Sequence, residues 1–155
     1  MRDDRSVHEY LIMIDKINQT FEQFKLLVLQ ETKEVEELEN FHLTPQQEII
    51  MFYIIRHEPV IANDIANNFD ISKSAVSQVI SKLEEMNLIY RQENAINRRE
   101  TLIYLADRGK EFQQLLQKID DMLVEKYYSK VSLTELKNVL DTLNKIVGTT
   151  KHKGS

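Results

Sequence analysis

Ile71-Ser-Lys-Ser-Ala-Val-Ser-Gln-Val-Ile-Ser-Lys-Leu-Glu84, followed by Leu88-Ile-Tyr-Arg91, is the stretch that decides the fold of this chain. Val76, Val79, Ile80, Leu83 and Met86 recur at steps of three and four, so a helix over 73–86 has one apolar side. Lys73, Ser74, Ser77, Gln78, Ser81 and Lys82 fall on the other side, which carries no bulky apolar group. Ser72 is placed to cap this helix, because its hydroxyl can accept from an amide left free in the first turn. Asn87 tolerates the left-handed backbone that ends a helix. Beyond it the period drops to two. Residues 88–93 and 99–105 read as strands around a polar loop, 94–98, and form one β-hairpin.

Upstream, Thr44-Pro-Gln-Gln47 is a strong helix start: Thr44 caps, Pro45 suits the first helical position, and Gln47 completes a capping box. Ile49, Ile50, Phe52, Tyr53 and Ile54 are expected to bury one face of that helix. It should stop near His57, since Pro59 disfavours helical geometry at Glu58. A short helix is expected over 61–68, with Ile65, Ala66 and Phe69 inward, and Asp70-Ile71-Ser72 as the turn.

Helix, short helix, tight turn, amphipathic helix and hairpin, in that order, make a winged helix-turn-helix. A helix about 10–12 Å across fits the DNA major groove. A face of short polar side chains can approach base edges closely. Gln78 can pair with adenine, Lys73 and Lys82 can reach guanine or phosphate, and Ser74, Ser77 and Ser81 are short donors and acceptors. Arg98 and Arg99 sit at the hairpin tip, where a guanidinium can enter an adjacent minor groove. Taken alone, the helix face is equally compatible with an ordinary solvated surface. The basic tip that follows it favours double-stranded DNA.

The flanking segments have a different pattern. Val7, Tyr10, Ile14, Ile17, Phe21, Phe24 and Val28 form a seam on a long helix starting near Ser6, widened by Leu11, Leu27 and Leu29. The acidic stretch 31–40 is expected to fray or turn. Phe112, Leu115, Ile119, Met122 and Leu123 line a helix entered near Asp107. Leu133, Leu136, Leu140, Leu143 and Val147 line a last one entered at Ser132. These seams exceed what one small winged domain can cover, and a fully buried Leu or Phe is worth roughly 1.5–3 kcal/mol, so a homodimer is expected. The fold class is mainly α with a small β-hairpin wing. The expected parts are an N-terminal dimerisation helix (1–40), the winged lobe (41–106), C-terminal dimerisation helices (107–150) and a loose polar tail (151–155).

Composition narrows the remaining choices. The chain has no cysteine, which excludes disulfides, thiolate metal sites and thiol-oxidation sensing. No apolar run approaches the roughly 20 residues of a membrane span, and the N-terminus lacks the pattern of a secretory signal. A soluble, cytoplasmic protein is expected. The net charge of −5 is unusual for a nucleic-acid binder. The first 50 residues hold five basic against eleven acidic side chains, however, whereas 72–110 holds seven against five. The acid lies away from the stretch assigned to DNA, and local charge is what phosphate contact needs. His8, His42, His57 and His152 form no metal-ligand spacing, and there is no phosphate-binding glycine loop or zinc-protease motif. No catalytic residue, metal site or cofactor is expected. The alternative is a winged-helix module that docks a protein instead of DNA, whose outward helix face should be more apolar than Lys73–Lys82.

The segment 71–91, together with Asn97-Arg98-Arg99, Ile103-Tyr-Leu105 and Gly109, resembles the recognition helix and wing of the MarR family of bacterial transcription regulators. The resemblance extends to the terminal helices and lies in the order of parts more than in any one motif. It implies a homodimeric regulator, more often a repressor, on a roughly palindromic operator. It also implies a small, often aromatic or anionic, effector held between the dimer helices and the DNA-binding lobe. Tyr10, Met13, Arg56 and His57 are the candidate pocket residues, with interface packing and a polar helix end as their plainer explanation. The chain departs from the family pattern at Asn97, where the family usually has Asp. That substitution removes the charge needed for an ion pair buttressing the wing arginine. Asn87 and Asp70 stand where glycine is common.

Overall fold

The computed structural model describes residues 4–31 and 33–148; the expected loose tail lies outside the described residues. The elements are α1 (Asp4–Glu31), α2 (Lys33–Glu39), α3 (Pro45–His57), α4 (Ala62–Phe69), α5 (Lys73–Glu85), β1 (Ile89–Glu93), β2 (Thr101–Leu105) and α6 (Asp107–Lys126). A 3₁₀ turn, Tyr128–Lys130, and α7 (Leu133–Val147) follow. Among the described residues no helix is long and apolar enough to cross a membrane.

Local chemistry fixes the helix ends. At the start of α3, the Gln47 amide donates to Thr44 Oγ1 (3.2 Å) and the Thr44 amide to Gln47 Oε1 (2.9 Å), closing the expected capping box. Ser132 and Glu135 form a second one at α7. The two backbone amide and hydroxyl donors of Ser132 hold the Glu135 carboxyl below its ordinary range. The Ser72 hydroxyl accepts from the Ala75 amide at 3.1 Å and opens α5. Asp70 (φ 51°) and Asn87 (φ 60°) take the left-handed backbone on either side of α5, which short polar side chains tolerate.

The lobe core gathers Ile50, Met51 and Ile54 from α3, Ile65 from α4, and Val76, Ile80 and Leu83 from α5. Leu88, Ile89, Ile103, Leu105 and Phe112 complete it. β1 and β2 pair antiparallel from Ile89↔Leu105 to Glu93↔Thr101. Val60 adds an isolated bridge to Ile103, with N–H to carbonyl contacts of 3.2 and 2.8 Å in the two directions. Glu58 then accepts the Leu105 amide at 3.0 Å, tying the α3–α4 link to the same sheet.

Three expectations fail. Ile49 is half exposed at 50 %, whereas Met51 is fully buried. Successive helical residues are about 100° apart, so the face set by Ile50, Met51 and Ile54 turns Ile49 away. The acidic stretch after α1 does not simply fray. It forms α2, because Leu38 and Phe41, three apart, dock on the lobe. The Phe41 ring meets Phe112 edge-on at 5.2 Å, with the Arg108 guanidinium 4.9 Å from its centre. The second strand also begins at Thr101, not Arg99, which leaves both arginines in the loop.

Candidate nucleic-acid interface

α5 lies across the surface of the lobe with its apolar residues inward. Lys73, Ser74, Ser77, Gln78 and Lys82 are exposed as expected, while Ser81 is half-buried at the edge of the face. Ser77, Gln78, Ser81 and Lys82 share a groove of about 550 Å³ with Thr44, Gln46 and Gln47 from the start of α3. Gln46 was missed from the sequence. It reads there only as a helix-start residue, and its place beside α5 follows from the packing of α3.

The orientation of α5 is secured at its C-terminal end. Glu84 accepts from Arg91 Nε and Nη2, both at 3.1 Å, so a planar two-point contact joins α5 to β1. The hydrogen bonds from Arg91 lower the Glu84 pKa, against a smaller opposing effect of burial. Arg108 donates to the Met86 carbonyl at 3.1 Å, and its amide donates to the Asn87 carbonyl at 3.2 Å. Gly109 completes this junction. A Cβ there would collide with the Leu88 carbonyl oxygen, so only glycine lets α6 approach the exit of α5. Arg91 and Arg108 are therefore engaged internally. Sequence counting had credited both to the basic face. Lys82 pairs with Glu85 at 3.4 Å, but both side chains are about two-thirds exposed (67 % and 69 %), so this contact is weak.

The wing tip is organised by asparagine. Asn94 Oδ1 accepts from the amides of Ile96 (3.0 Å) and Asn97 (3.4 Å), and Asn97 Oδ1 accepts from the Arg99 amide (3.2 Å). Asn97 thus supports Arg99 through the backbone, where a carboxylate would have offered a charge. Arg98 and Arg99 are exposed, and among the described residues no carboxylate pairs with either. The tip is net cationic and pre-shaped.

The four candidate pocket residues do not converge. Met13 lines a cleft of about 790 Å³ between α1 and the α6–α7 region, with Ile17, Phe21, Phe24, Tyr127 and Leu136. Phe24 meets Tyr127 edge-on at 5.6 Å, and Lys130 Nζ lies 5.4 Å from the Tyr127 ring centre. Tyr10 is 63 % exposed on α1 and is not part of that lining. Arg56 and His57 are exposed at the end of α3, where His57 packs on Tyr53 at 4.6 Å. Among the described residues no three His, Asp or Glu side chains are grouped to hold a metal ion; His152 lies outside them.

Comparison with known proteins agrees with this geometry. Residues 43–101 match the model of the MarR family. The chain is 22% identical over 107 residues to the HTH-type transcriptional regulator MgrA of Staphylococcus aureus, covering 69% of this chain and 71% of that protein. It is 30% identical over 83 residues to the HTH-type transcriptional repressor MdtR of Bacillus subtilis, covering 53% and 54%. Among solved structures, S. aureus MepR bound to ethidium bromide superposes with a TM-score of 0.62 at 26% identity, covering 84% of this chain and 93% of that one. A MepR–DNA complex gives 0.56 at 25%, covering 78% and 98%.

Proposed function

We propose, from the match of residues 43–101 to the MarR family model, that the chain is a homodimeric, cytoplasmic DNA-binding repressor of transcription of that family. The observation that carries the reading is the pairing of a small polar face on α5 with two arginines that, among the described residues, no carboxylate pairs with, at a pre-shaped wing tip. Lys73, Ser74, Ser77, Gln78, Ser81 and Lys82 enter the major groove, and Arg98 and Arg99 reach the flanking minor groove. MepR, whose fold this chain shares, has been solved on DNA. MdtR carries the name of repressor.

The exposed seams support dimerisation. Leu11 is 59 % exposed and Leu140 56 %, and α7 has no buried residue in the single chain. Two-fold pairing covers such surfaces and sets two α5 helices about 34–36 Å apart, which suits a roughly palindromic operator. A small aromatic or anionic effector acts at the cleft lined by Met13, favouring an arrangement of the dimer that misfits DNA. It does so only to the extent that it binds that arrangement more tightly. The aromatic lining of the cleft and the ethidium-bound state of MepR support this step. Arg56 and His57 do not line that cleft in the single chain.

The test is binding to duplexes selected from a random library and from genomic fragments, read by fluorescence anisotropy. Arg99→Ala and Gln78→Ala should each weaken the selected duplex by roughly tenfold or more. The Arg99 variant should also show a shallower dependence on salt. If the wild-type protein binds no duplex more tightly than random sequence, the regulator reading is wrong.

A further inference from the structure

The most exposed apolar side chain of the lobe is Ile96, 98 % accessible at the tip of the wing. A lone exposed apolar residue is ordinary on a protein surface. Its setting here is not. The loop that carries it is closed by Asn94 N–H to the Glu100 carbonyl (3.1 Å) and Glu100 N–H to the Asn97 carbonyl (3.0 Å). The Asn94 and Asn97 side chains bind the amides of residues 96, 97 and 99. Ile96 is thus held out by an ordered loop, and its β-branched side chain has little rotamer freedom to lose on contact. It makes no core contact, so the folded chain gains nothing from its apolar character.

Building on the DNA-binding reading above, we propose that Ile96 is a specificity residue that seats in the minor groove beside Arg98 and Arg99 and selects A·T over G·C pairs. The two arginines direct the tip to a polyanion. On duplex DNA the apolar surface available to a narrow loop is the groove interior of sugar edges and base edges, and isoleucine is among the side chains that enter minor grooves. An A·T pair presents only acceptors on that floor, whereas a G·C pair adds the guanine N2 amino group. An aliphatic tip pressed on that amino group strips its water and offers it no acceptor, so G·C is disfavoured.

The experiment uses the full chain and a duplex selected by the wild-type protein, with wing positions located by hydroxyl-radical footprinting. Adenines at those positions are replaced by 2,6-diaminopurine, which adds the minor-groove amino group and leaves the major-groove edge unchanged. Wild type should lose about tenfold in affinity on the modified duplex. Ile96→Ser should bind the unmodified duplex about tenfold more weakly, with its preference between the two duplexes reduced to within about twofold. Its salt slope should be unchanged because no charge is altered, and Ile96→Leu should stay within about twofold of wild type. An Ile96→Ser protein that binds as tightly as wild type, or that keeps the full penalty against diaminopurine, overturns the proposal. A wild-type protein that selects no duplex overturns the regulator reading, a separate and earlier outcome.

Discussion

The winged lobe and the terminal helices of this chain solve the problem of apolar surface in opposite ways. In the lobe, short elements converge so that Met51, Ile54, Ile65, Val76, Leu83 and Leu88 are wholly buried within one chain. In α1 and α7, similar side chains recur with comparable regularity and stay open: Tyr10 at 63 %, Ile146 at 75 % and Leu133 at 85 %. The lobe buries its apolar faces within a single copy, and the arms leave theirs open. Amphipathic periodicity therefore establishes which side of a helix is apolar, not whether its own chain covers it.

The largest effect should come from a residue that joins the two regions. Phe112 lies on α6, yet its ring packs against Phe41 at 5.2 Å and near Phe52 at 6.3 Å inside the lobe core. Phe112→Ala should lower the unfolding free energy by about 3–5 kcal/mol, measured by urea denaturation at fixed protein concentration. A loss below about 1 kcal/mol would mean that the junction is not part of the core.

A cut confined to the arms sharpens the contrast. Leu140→Glu with Leu143→Glu places charge on the open face of α7. The dimer dissociation constant should rise by roughly a hundredfold or more, seen by sedimentation equilibrium, while the helical content of the lobe persists. If the double variant still sediments as a dimer, the seam is not the interface.

The smallest effect divides the lobe itself. Glu84→Gln removes the charge of the two-point contact to Arg91 and leaves one acceptor. Because that contact is about 40 % exposed, the stability loss should be within about 1 kcal/mol. The larger sign should be a few-fold weakening of DNA binding as α5 and the wing lose register. The pKa of Glu84 is lowered in the folded protein. Its contribution is therefore fully present above the unfolded carboxyl value and is lost as pH falls through the folded one. Wild type and Glu84→Gln should converge in stability on acidification below the ordinary carboxylate range. Divergence there would contradict the assignment.

Much of this was legible from sequence where a residue type has one local solution. Thr44–Gln47, Ser72 and Ser132 announce helix starts, and Asn87 and Asp70 mark left-handed ends. The polar face of α5 follows from periodicity alone. What sequence hid depends on contacts between distant elements. Ile49 and Met51 are alike in hydropathy, and only the direction of the core separates them. Arg91 and Arg108 count as free charge until their partners Glu84 and the Met86 carbonyl are seen. Ile96 reads in sequence only as part of a polar loop, since exposure of one apolar residue leaves no periodic trace. Which side chains share a cleft is hidden in the same way: Arg56 and His57 lie on α3, which contributes nothing to the cleft that Met13 lines.

The close seat of Gly109 on Leu88 has a mechanical consequence. α6 is anchored to the exit of α5 at one end and runs through 20 residues towards the arms, a shaft about 30 Å long. A tilt of about 5° at its anchored end sweeps the far end through roughly 2.6 Å over that length. Over the same length, a displacement of one or two ångströms at the far end of α6 corresponds to a rotation of only a few degrees at the Gly109 junction.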